Sequence, residues 1–448
     1  MTLPELETWL REENPSRLEE LWAWADRVRR ENVGDEVHLR GLLEISNYCV
    51  RSCGYCGIRA GNRKIKRYRM TAEEILACAR QAVDYGYGTL VMQAGEDYGL
   101  TREWVAGIVR RVKTETTLAV TLSLGERPEE DLAAWRQAEA DRYLLRFETS
   151  DRELYDRIHP PRPGQERSER FALLRQLREL GYEVGSGVMI GIPGQTYGSL
   201  ARDIEAFAEL DLDMIGVGPW LPHPETPLGR CASPPGPLSL GALRAGSVEG
   251  EQSTGETPAP PEEWGTSPVG GEEASPRRTC GAQPLSWQER GKDGGSGEAA
   301  AVGRPLPWPP HTETGVTGVT PLPEQVPNTE LMTYKVVALA RLVCPEANIP
   351  STTALATLNK ATGRELGLAR GANVVMPNLT PVQYRALYEI YPEKACVNET
   401  AEACRLCLAG RIHALGRRVG QGPGGRRRRR PAARAAEAGD NLEEVGVS

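Results

Sequence analysis

Short hydrophobic runs alternate with amphipathic stretches along the chain. Eight runs rich in β-branched and aliphatic residues predict strands at 42–47, 89–96, 118–126, 142–149, 184–191, 213–220, 347–354 and 371–377. The stretches between them predict helices; one opens with a capping box from Thr71 to Glu74, and another ends at Gly181. Because each predicted strand is followed by a helix, the pattern predicts an α/β fold, a (β/α)8 barrel of the TIM type.

A change in composition divides the predicted barrel. Residues 229–328 are dominated by Gly, Pro, Ser, Thr and Glu and contain no Ile, Phe, Tyr or Met, which predicts a disordered insertion. The insertion follows the sixth strand, on the face where such barrels carry their active sites. The other segments are an N-terminal helical segment (1–34), the first part of the barrel (35–228), its second part (329–390), a cysteine-bearing extension (391–418) and a disordered tail, basic and then acidic (419–448).

Charge and hydropathy exclude several classes of protein. The net charge of −7 argues against nucleic-acid binding, which needs a basic surface, and the arginine run 426–430 is interpreted as a solvated tail. The chain contains no run of about 18 apolar residues that would cross a membrane. Its charged, helical N-terminus is unlike a secretory signal. We therefore expect a soluble cytoplasmic protein, in which clustered cysteines indicate metal binding or catalysis rather than disulfides.

Three cysteines lie directly after the first predicted strand, within eight residues: Cys49, Cys53 and Cys56. Four thiolates saturate a four-iron cluster, so three leave one iron open to bind a cofactor or a substrate. A zinc site and a cluster that only carries electrons are the alternatives. Zinc needs a fourth Cys or His nearby, and the nearest histidine in sequence is His38.

The spacing C-x3-C-x2-C, with the aromatic Tyr55 before the third cysteine, resembles the signature of the radical S-adenosylmethionine enzymes. The resemblance implies a [4Fe–4S] cluster whose open iron is chelated by the amino and carboxylate groups of S-adenosyl-L-methionine. Reductive cleavage then yields methionine and a 5′-deoxyadenosyl radical. "QAGED" (93–97) resembles the family's GGE element, which implies that Gly95 and Glu96 meet the cofactor. Cleavage needs a low-potential electron donor of the ferredoxin or flavodoxin type.

Longer stretches resemble the HydE family, the radical S-adenosylmethionine maturases of [FeFe]-hydrogenase. They include "KRYRMTAEEI" (66–75), "DRYLLRFET" (141–149), "GVGPWLPHPETPL" (216–228), "NIPSTTAL" (348–355) and "GANVVMPN" (371–378), and the likeness covers about 35–228 and 329–418. The resemblance implies that the radical acts on a small-molecule or organometallic precursor during assembly of the hydrogenase diiron subcluster. Other hydrogenase maturation proteins are the implied partners.

The same resemblance implies roles for individual residues. Cys49, Cys53 and Cys56 hold the cluster. S-adenosylmethionine is contacted by Glu148 and Arg170, with Arg146 nearby; Arg167 competes with Arg170 for this role. The alternative for Arg146 and Glu148 is an ion pair with each other inside the barrel. The substrate cavity is lined by Ser123, Thr352 and Thr353.

A second cysteine group, Cys396-x7-Cys404-x2-Cys407, lies in the C-terminal extension. It matches the accessory iron–sulfur site of some HydE proteins, which implies a second cluster, [2Fe–2S] or [4Fe–4S]. The alternative is a structural zinc knuckle with His413 as the fourth ligand.

Three other functions are weighed against this hypothesis. Biotin synthase holds a second cluster with cysteines on its strands, whereas the strand ends here carry Gln93, Ser123, Arg146 and Met189. Methylornithine synthase shares the fold and much of the pattern but as a rule lacks the C-terminal cysteine group. A non-catalytic iron–sulfur carrier would not need Glu148 or a pocket for adenine.

Overall fold

The computed structural model describes residues 1–161, 167–231, 324–395 and 401–426, apart from the side chains of residues 403 and 404. The helices are α1 (Leu3–Arg11), α2 (Pro15–Val33), α3 (Ala72–Asp84), α4 (Arg102–Glu115), α5 (Glu129–Gln137), α6 (Arg152–Ile158), α7 (Arg170–Glu179), α8 (Tyr197–Glu209), α9 (Pro227–Cys231), α10 (Glu330–Val343), α11 (Thr353–Leu358), α12 (Gly363–Ala369), α13 (Val382–Arg385) and α14 (Ala401–Ala414). The strands are β1 (Glu36–Ser46), β2 (Thr89–Ala94), β3 (Ala119–Ser123), β4 (Arg142–Leu144), β5 (Glu183–Ser186), β6 (Met189–Ile190), β7 (Met214–Ile215), β8 (Gly218–Pro219), β9 (Val374–Val375) and β10 (Arg418–Val419). No helix within these ranges is long and apolar enough to cross a membrane.

The parallel strands close into a ring. Hydrogen-bonded neighbours follow the order β10, β1, β2, β3, β4, β5 and β7, and β9 also pairs with β1. Isolated parallel bridges from Met214 to Asn348 and from Pro350 to Val374 connect β7 to β9 through the segment after α10. Eight parallel strand positions thereby surround one interior, and the predicted (β/α)8 fold is confirmed.

Several predicted strands are interrupted. The runs 184–191 and 213–220 each split into two short strands, β5 with β6 and β7 with β8. A Cβ at Gly187 would overlap the carbonyl oxygen of Gly216, so the glycine allows the two backbones to approach closely at the interruption. The run 347–354 makes only single bridges, because Pro350 has no N–H to donate and α11 begins at Thr353.

Helices cover the outer side of the ring. Thr71 and Glu74 form the predicted capping box at the start of α3. In the N-terminal segment, α1 packs against α8 and α2 packs against α10, and Leu10, Leu21 and Trp22 are buried at these contacts. The N-terminal helices therefore extend the hydrophobic core of the barrel outward.

The segment after α14 covers the amino ends of the strands. Strand β10 pairs with the start of β1, and the backbone then accepts hydrogen bonds from barrel side chains. Arg40 Nη2 donates to the Gly424 carbonyl oxygen at 2.8 Å, and Arg142 Nη2 donates to that of Pro423 at 3.2 Å. The predicted start of the disordered tail at residue 419 is therefore wrong, because the carbonyl groups that follow β10 accept hydrogen bonds from buried arginines. Residues 427–448 lie outside the described residues.

Both ends of the predicted insertion, 229–328, belong to the barrel instead. Helix α9 ends at Cys231. On the other side, Gln325 Oε1 accepts the Gly194 N–H at 2.7 Å, and Asn328 Nδ2 donates to the Trp220 carbonyl oxygen at 2.9 Å. The insertion boundaries therefore move inward, and the prediction of disorder falls on residues 232–323, which lie outside the described residues.

Candidate active site

A cavity of about 320 Å³ opens among the carboxyl ends of the strands. Residues from distant parts of the sequence line it, including all those predicted to hold the cluster, the cofactor and the substrate: Cys49, Cys53, Cys56, Gly95, Glu96, Ser123, Arg146, Glu148, Arg170, Thr352 and Thr353. The carboxyl face is where barrels of this type place their active sites. The structure thus brings together, in one space, residues predicted for three different purposes.

The cysteine loop follows β1 and is held by its neighbours. The Gly54 N–H donates to the Ile158 carbonyl oxygen at 2.7 Å, and the Val50 N–H donates to that of Glu96 at 2.9 Å. A Cβ at Gly95 would overlap both the Tyr48 carbonyl oxygen and the Cys49 Cβ. Glycine at position 95 therefore allows the end of β2 to lie directly against the loop.

The electrostatic environment of the three half-buried cysteines favours the neutral thiol as long as no cation is bound. Burial raises the pKa of Cys53 well above its usual value, and the neighbouring Cys49 and Cys56 raise it further. Burial also raises the pKa of Cys56 to about 12 and that of Cys49 in the same direction. Without a cation these thiols stay protonated, whereas a metal centre favours the thiolates.

The donor set fits an iron–sulfur cluster. Backbone N–H groups of Arg51 and Ile58 donate to the sulfurs of Cys49 and Cys56, an arrangement that tunes cluster potentials. Within the described ranges, no three His, Cys, Asp or Glu side chains converge on a point that would hold a single metal ion. Three thiols on one loop, facing one cavity, match a cluster whose fourth iron has no protein ligand.

Glu96 is buried, and its carboxylate already has partners. Arg51 Nε lies 2.9 Å from Glu96 Oε1, and the Glu126 N–H donates to Glu96 Oε2 at 3.0 Å. Arg51 also pairs with Glu126 at 2.5 Å. These contacts hold the cysteine loop against the ends of β2 and β3, so the contribution of Glu96 to the cavity is to position the loop. A direct contact with the cofactor stays a prediction.

Glu148 and Arg146 face each other beyond the end of β4. Glu148 has a φ of +64°, and Arg146 Nη2 lies 3.0 Å from Glu148 Oε2. Tyr55 Oη donates to Glu148 Oε1 at 3.3 Å and lies 2.9 Å from His159 Nε2. A hydrogen bond therefore connects Tyr55, the residue before the third cysteine, to Glu148, whose carboxylate is predicted to bind the cofactor.

Arg170 rather than Arg167 faces the cavity. Arg170 pairs with Glu126 at 2.5 Å and donates to the Arg146 carbonyl oxygen at 2.7 Å. Arg167 is 68% exposed and pairs with Asp156 on the outer surface, beside a cleft of about 820 Å³. The positions of the two side chains therefore favour Arg170 over Arg167 as the arginine that binds the cofactor.

Several buried polar atoms of the cavity wall make no hydrogen bond within the described chain. They are Arg146 Nε, His159 Nδ1, Trp220 Nε1 and Thr352 Oγ1; Glu148 Oε2 also makes no hydrogen bond but is ion-paired with Arg146. Each such group costs about 1–3 kcal/mol when it is left without a partner. Their concentration around one cavity indicates a polar ligand that completes them.

A second charged pair lines the same cavity and was missed in the sequence. Lys394 Nζ contacts Glu44 Oε1, and both side chains are buried. Asn378 and Thr380 donate to Glu44 Oε2, at 3.3 and 3.4 Å. The sequence offered one signal for this pair, which is that Glu44 is a charged residue inside the apolar run of β1. Residues of a barrel strand alternate between the interior and the exterior, and a charge in such a run is a candidate for the interior. No sequence pattern pointed to Lys394 or His159, and the cysteine signature identified Tyr55 only as an aromatic residue, without a role for its hydroxyl group.

The second cysteine group lies largely outside the described residues. Cys396 and the side chain of Cys404 are not described, and Cys407 is exposed on α14. An accessory cluster held by these three residues therefore stays a prediction.

Comparisons with known proteins show which families the chain is similar to. The profile of the Radical SAM superfamily matches residues 43–209. The chain is similar to the [FeFe] hydrogenase maturase subunit HydE of Thermotoga maritima, with 37% identity over 92% of this chain and 89% of the relative. It is also similar to the 3-methylornithine synthase of Methanosarcina acetivorans, with 30% identity over 49% of this chain and 61% of that protein. The crystal structure of methylornithine synthase (PylB) superposes with a TM-score of 0.63 at 20% identity, covering 94% of each chain, a likeness of fold.

Proposed function

Since this chain belongs to the HydE family of radical S-adenosylmethionine enzymes, we propose that it is a maturase of [FeFe]-hydrogenase. It generates the 5′-deoxyadenosyl radical in the barrel and uses it in assembly of the diiron subcluster of the hydrogenase H-cluster. The observation that carries the proposal is that all the residues predicted for cluster, cofactor and substrate line one cavity.

Cys49, Cys53 and Cys56 are the proposed ligands of a [4Fe–4S] cluster. With three thiolates from the protein, one iron stays open to the amino and carboxylate groups of S-adenosylmethionine. The bound cluster supplies the electron that cleaves the sulfonium to methionine and the deoxyadenosyl radical. The contribution of the chain is to hold the loop rigid, through Gly95 and the Arg51–Glu96 pair, and to exclude water from the radical.

Glu148, Arg146 and Arg170 are the proposed cofactor-binding side chains. A buried carboxylate beside a guanidinium fits a ligand that carries both an ammonium and a carboxylate, or ribose hydroxyls. Glu126 fixes Arg170, and the Arg170 guanidinium in turn fixes the backbone at Arg146. Glu148 Oε2 pairs with Arg146 but makes no hydrogen bond in the described chain, which leaves it ready for a donor on the ligand.

The substrate is proposed to be a small, sulfur-containing, iron-bound precursor. Ser123, Thr352 and Thr353 supply hydroxyl groups to the cavity, and Glu44 with Lys394 supplies a buried charged pair. The cysteines described outside the cluster loop, namely Cys78, Cys231, Cys344 and Cys407, do not line the cavity. This arrangement offers no thiols for the second barrel cluster of a biotin synthase, so it favours the maturase.

Three further features belong to the proposal. Cys396, Cys404 and Cys407 hold a second iron–sulfur cluster, [2Fe–2S] or [4Fe–4S]. A low-potential ferredoxin or flavodoxin reduces the main cluster by docking on the basic segment that follows it, residues 59–69. The enzyme works in the cytoplasm with other hydrogenase maturation proteins, since a reducing compartment keeps its cysteines available.

Two measurements test the function. The anaerobically reconstituted and reduced protein is expected to release 5′-deoxyadenosine from S-adenosylmethionine, and its Cys56→Ala variant is not. In cells that lack their own HydE but contain an [FeFe]-hydrogenase and the other maturation proteins, the chain is expected to restore hydrogen production. Absence of 5′-deoxyadenosine would favour an iron–sulfur carrier. Release of 5′-deoxyadenosine without restored hydrogen production would favour a different radical reaction, such as that of a methylornithine synthase.

A further inference from the structure

His159 is a buried histidine at the cavity wall whose chemistry the cluster and its predicted ligands do not use. It lies directly after α6, is 8% exposed, and lines the same cavity as the three cysteines. Its Nε2 is 2.9 Å from Tyr55 Oη, whereas its Nδ1 is buried and makes no hydrogen bond within the described ranges. One ring nitrogen is therefore fixed, and the other is buried without a hydrogen-bond partner at the wall of the cavity.

The ring is held in place before any ligand arrives. Tyr155 stacks on it with a centroid distance of 4.5 Å and an interplanar angle of 16°, and Tyr55 meets it edge-on at 5.3 Å. The His159 N–H donates to the Tyr155 carbonyl oxygen at 2.8 Å, and the preceding Ile158 carbonyl accepts from Gly54 in the cysteine loop. Backbone, stacking and a hydrogen bond thus determine where Nδ1 lies relative to that loop.

The hydrogen bonds assign the tautomer. Tyr55 has one phenolic proton and two neighbours, His159 Nε2 at 2.9 Å and Glu148 Oε1 at 3.3 Å. Both contacts are attractive only if Tyr55 donates to the carboxylate and Nε2–H donates to the phenolic oxygen. The reverse assignment would bring two lone pairs together at Glu148. Burial, reinforced by the cations Arg170 and Arg51, lowers the pKa of His159, which keeps the ring neutral and leaves Nδ1 as an acceptor.

A buried acceptor of this kind needs an N–H or O–H donor. We propose that His159 Nδ1 accepts a hydrogen bond from the nucleoside part of S-adenosylmethionine, either from a ribose hydroxyl or from the exocyclic amine of adenine. This inference rests on the proposed function and adds a cofactor-binding residue to it. Through Nε2 the same ring orients Tyr55, and Tyr55 orients the Glu148 carboxylate toward the same ligand.

Two substitutions separate the two ring nitrogens. His159→Asn places an amide oxygen near the Nδ1 position but cannot reach Tyr55, whereas His159→Gln reaches the Nε2 position and leaves the Nδ1 position empty. The probe is S-adenosylhomocysteine, which the cluster cannot cleave, titrated by calorimetry into anaerobically reconstituted protein. We expect His159→Gln to weaken binding about tenfold, equivalent to about 1.4 kcal/mol, and His159→Asn to weaken it less than about threefold.

The outcomes separate this inference from the proposed function. Iron content and melting temperature show whether each variant still folds and holds the cluster. Unchanged binding by His159→Gln, or equal losses in both variants, overturns the role of Nδ1 even if the wild type binds. If His159→Asn fails to load the cluster, the result for His159→Gln alone still decides. A wild type that contains iron but does not bind S-adenosylhomocysteine would overturn the proposed function itself.

Analogues identify the donor. S-inosylhomocysteine replaces the exocyclic amine with a carbonyl oxygen, and the 2′-deoxy and 3′-deoxy forms of S-adenosylhomocysteine each lack one hydroxyl. The analogue without the relevant donor should bind the wild type and His159→Gln with equal affinity. If the variant is weaker by the same factor for all three analogues, His159 does not contact the nucleoside and the inference fails.

Discussion

Glu148 holds its carboxylate in the cavity through a backbone conformation that side-chain-bearing residues rarely adopt. Its φ of +64° lies in the left-handed region, where a residue other than glycine costs about 1–3 kcal/mol. The neighbouring strand compensates, since the Glu148 N–H donates to the Gly187 carbonyl oxygen at 3.0 Å and the Met189 N–H donates to that of Glu148 at 3.1 Å. Strain maintained by a strand at a cavity wall is typical of a residue positioned for function.

The pair of Glu44 and Lys394 is another feature that stability alone does not explain. Removing two charges from water costs several kcal/mol for each ion, and attraction between them recovers this only with good geometry and further hydrogen bonds. Glu44 has those bonds, from Asn378 and Thr380, and is 1% exposed. Substituting one residue of the pair should therefore destabilise the protein much more than substituting both.

We predict that Lys394→Met lowers the free energy of unfolding by about 3–5 kcal/mol, because it leaves a buried carboxylate without its cation. The double variant Glu44→Gln, Lys394→Met should recover most of that loss. Urea unfolding of the anaerobic protein measures both. Lys64→Met is the matched control, since Lys64 is 75% exposed and pairs with Glu225 at the surface, where little change is expected. Equal losses in the single and double variants would contradict the prediction.

The candidate site was predictable where its residues lie in short motifs and not where they meet through the fold. The cysteine spacing, the end of β2 and the end of β4 are local patterns, and they led to residues that line the cavity. Lys394 lies 350 positions from Glu44, and Tyr55 lies 104 positions from His159. These pairs depend on tertiary structure, which no period or motif in a single sequence encodes.

Individual strands differ from the hydrophobic pattern at their ends. β1 begins at Glu36, six positions before the predicted start at residue 42. The prediction started too late because His38 and Arg40 interrupt the apolar run. Arg40 can occupy a strand there because the segment after β10 supplies a carbonyl oxygen. In β4, the run 142–149 is a continuous strand only over Arg142–Leu144 and then makes a single bridge from Glu148 to Val188, where Glu148 adopts a positive φ. Apolar pattern predicts which strands exist, whereas their lengths depend on partners elsewhere.

The C-terminal segment should therefore stabilise the barrel. A chain that ends after Gly416 loses β10 and the carbonyl groups that accept from Arg40 and Arg142, and hydrogen bonds from charged groups contribute about 1.5–3 kcal/mol each. We predict a melting temperature lower by roughly 5 °C or more, measured by circular dichroism under anaerobic conditions. A chain that ends after Arg426 is the matched control and should melt like the full chain. Equal melting of the two truncations would show that this segment does not support the barrel.

Charge is distributed unevenly over the whole molecule. The chain has a net charge of −7, yet residues 59–69 contain six Lys or Arg and no Asp or Glu. Two of these cations contact the cysteine loop directly: Arg59 Nε donates to the Cys53 carbonyl oxygen at 2.9 Å, and Arg67 donates to the carbonyl oxygen of Asn47. The segment is therefore a basic surface close to the proposed cluster.

Other cations of this segment face solvent. Arg63, Lys64, Lys66 and Arg69 are exposed, and although Lys64 and Arg69 pair with Glu225 and Asp97, the surface stays predominantly positive. A basic surface raises the association rate of an acidic partner by about 10- to 1,000-fold at low salt. Because Arg59 and Arg67 of the same segment contact the cysteine loop, a partner bound to this segment would lie near the proposed cluster. The surface thus suits an acidic electron donor.

We predict that reversing these charges slows the reduction of the cluster by a protein donor but not its reduction by a small molecule. The variant Arg63→Glu, Lys64→Glu, Lys66→Glu should be reduced at least tenfold more slowly by an acidic flavodoxin or ferredoxin at low ionic strength, with cluster absorbance as the measurement. Dithionite, a small reductant that needs no docking, should reduce the variant and the wild type at the same rate. The control carries the same reversals at Arg17, Arg27 and Arg30 on α2, which packs against α10 instead of the cysteine loop. Equal slowing in both triple variants would mean that net charge alone governs the rate, and unchanged rates with the protein donor would place its docking surface elsewhere.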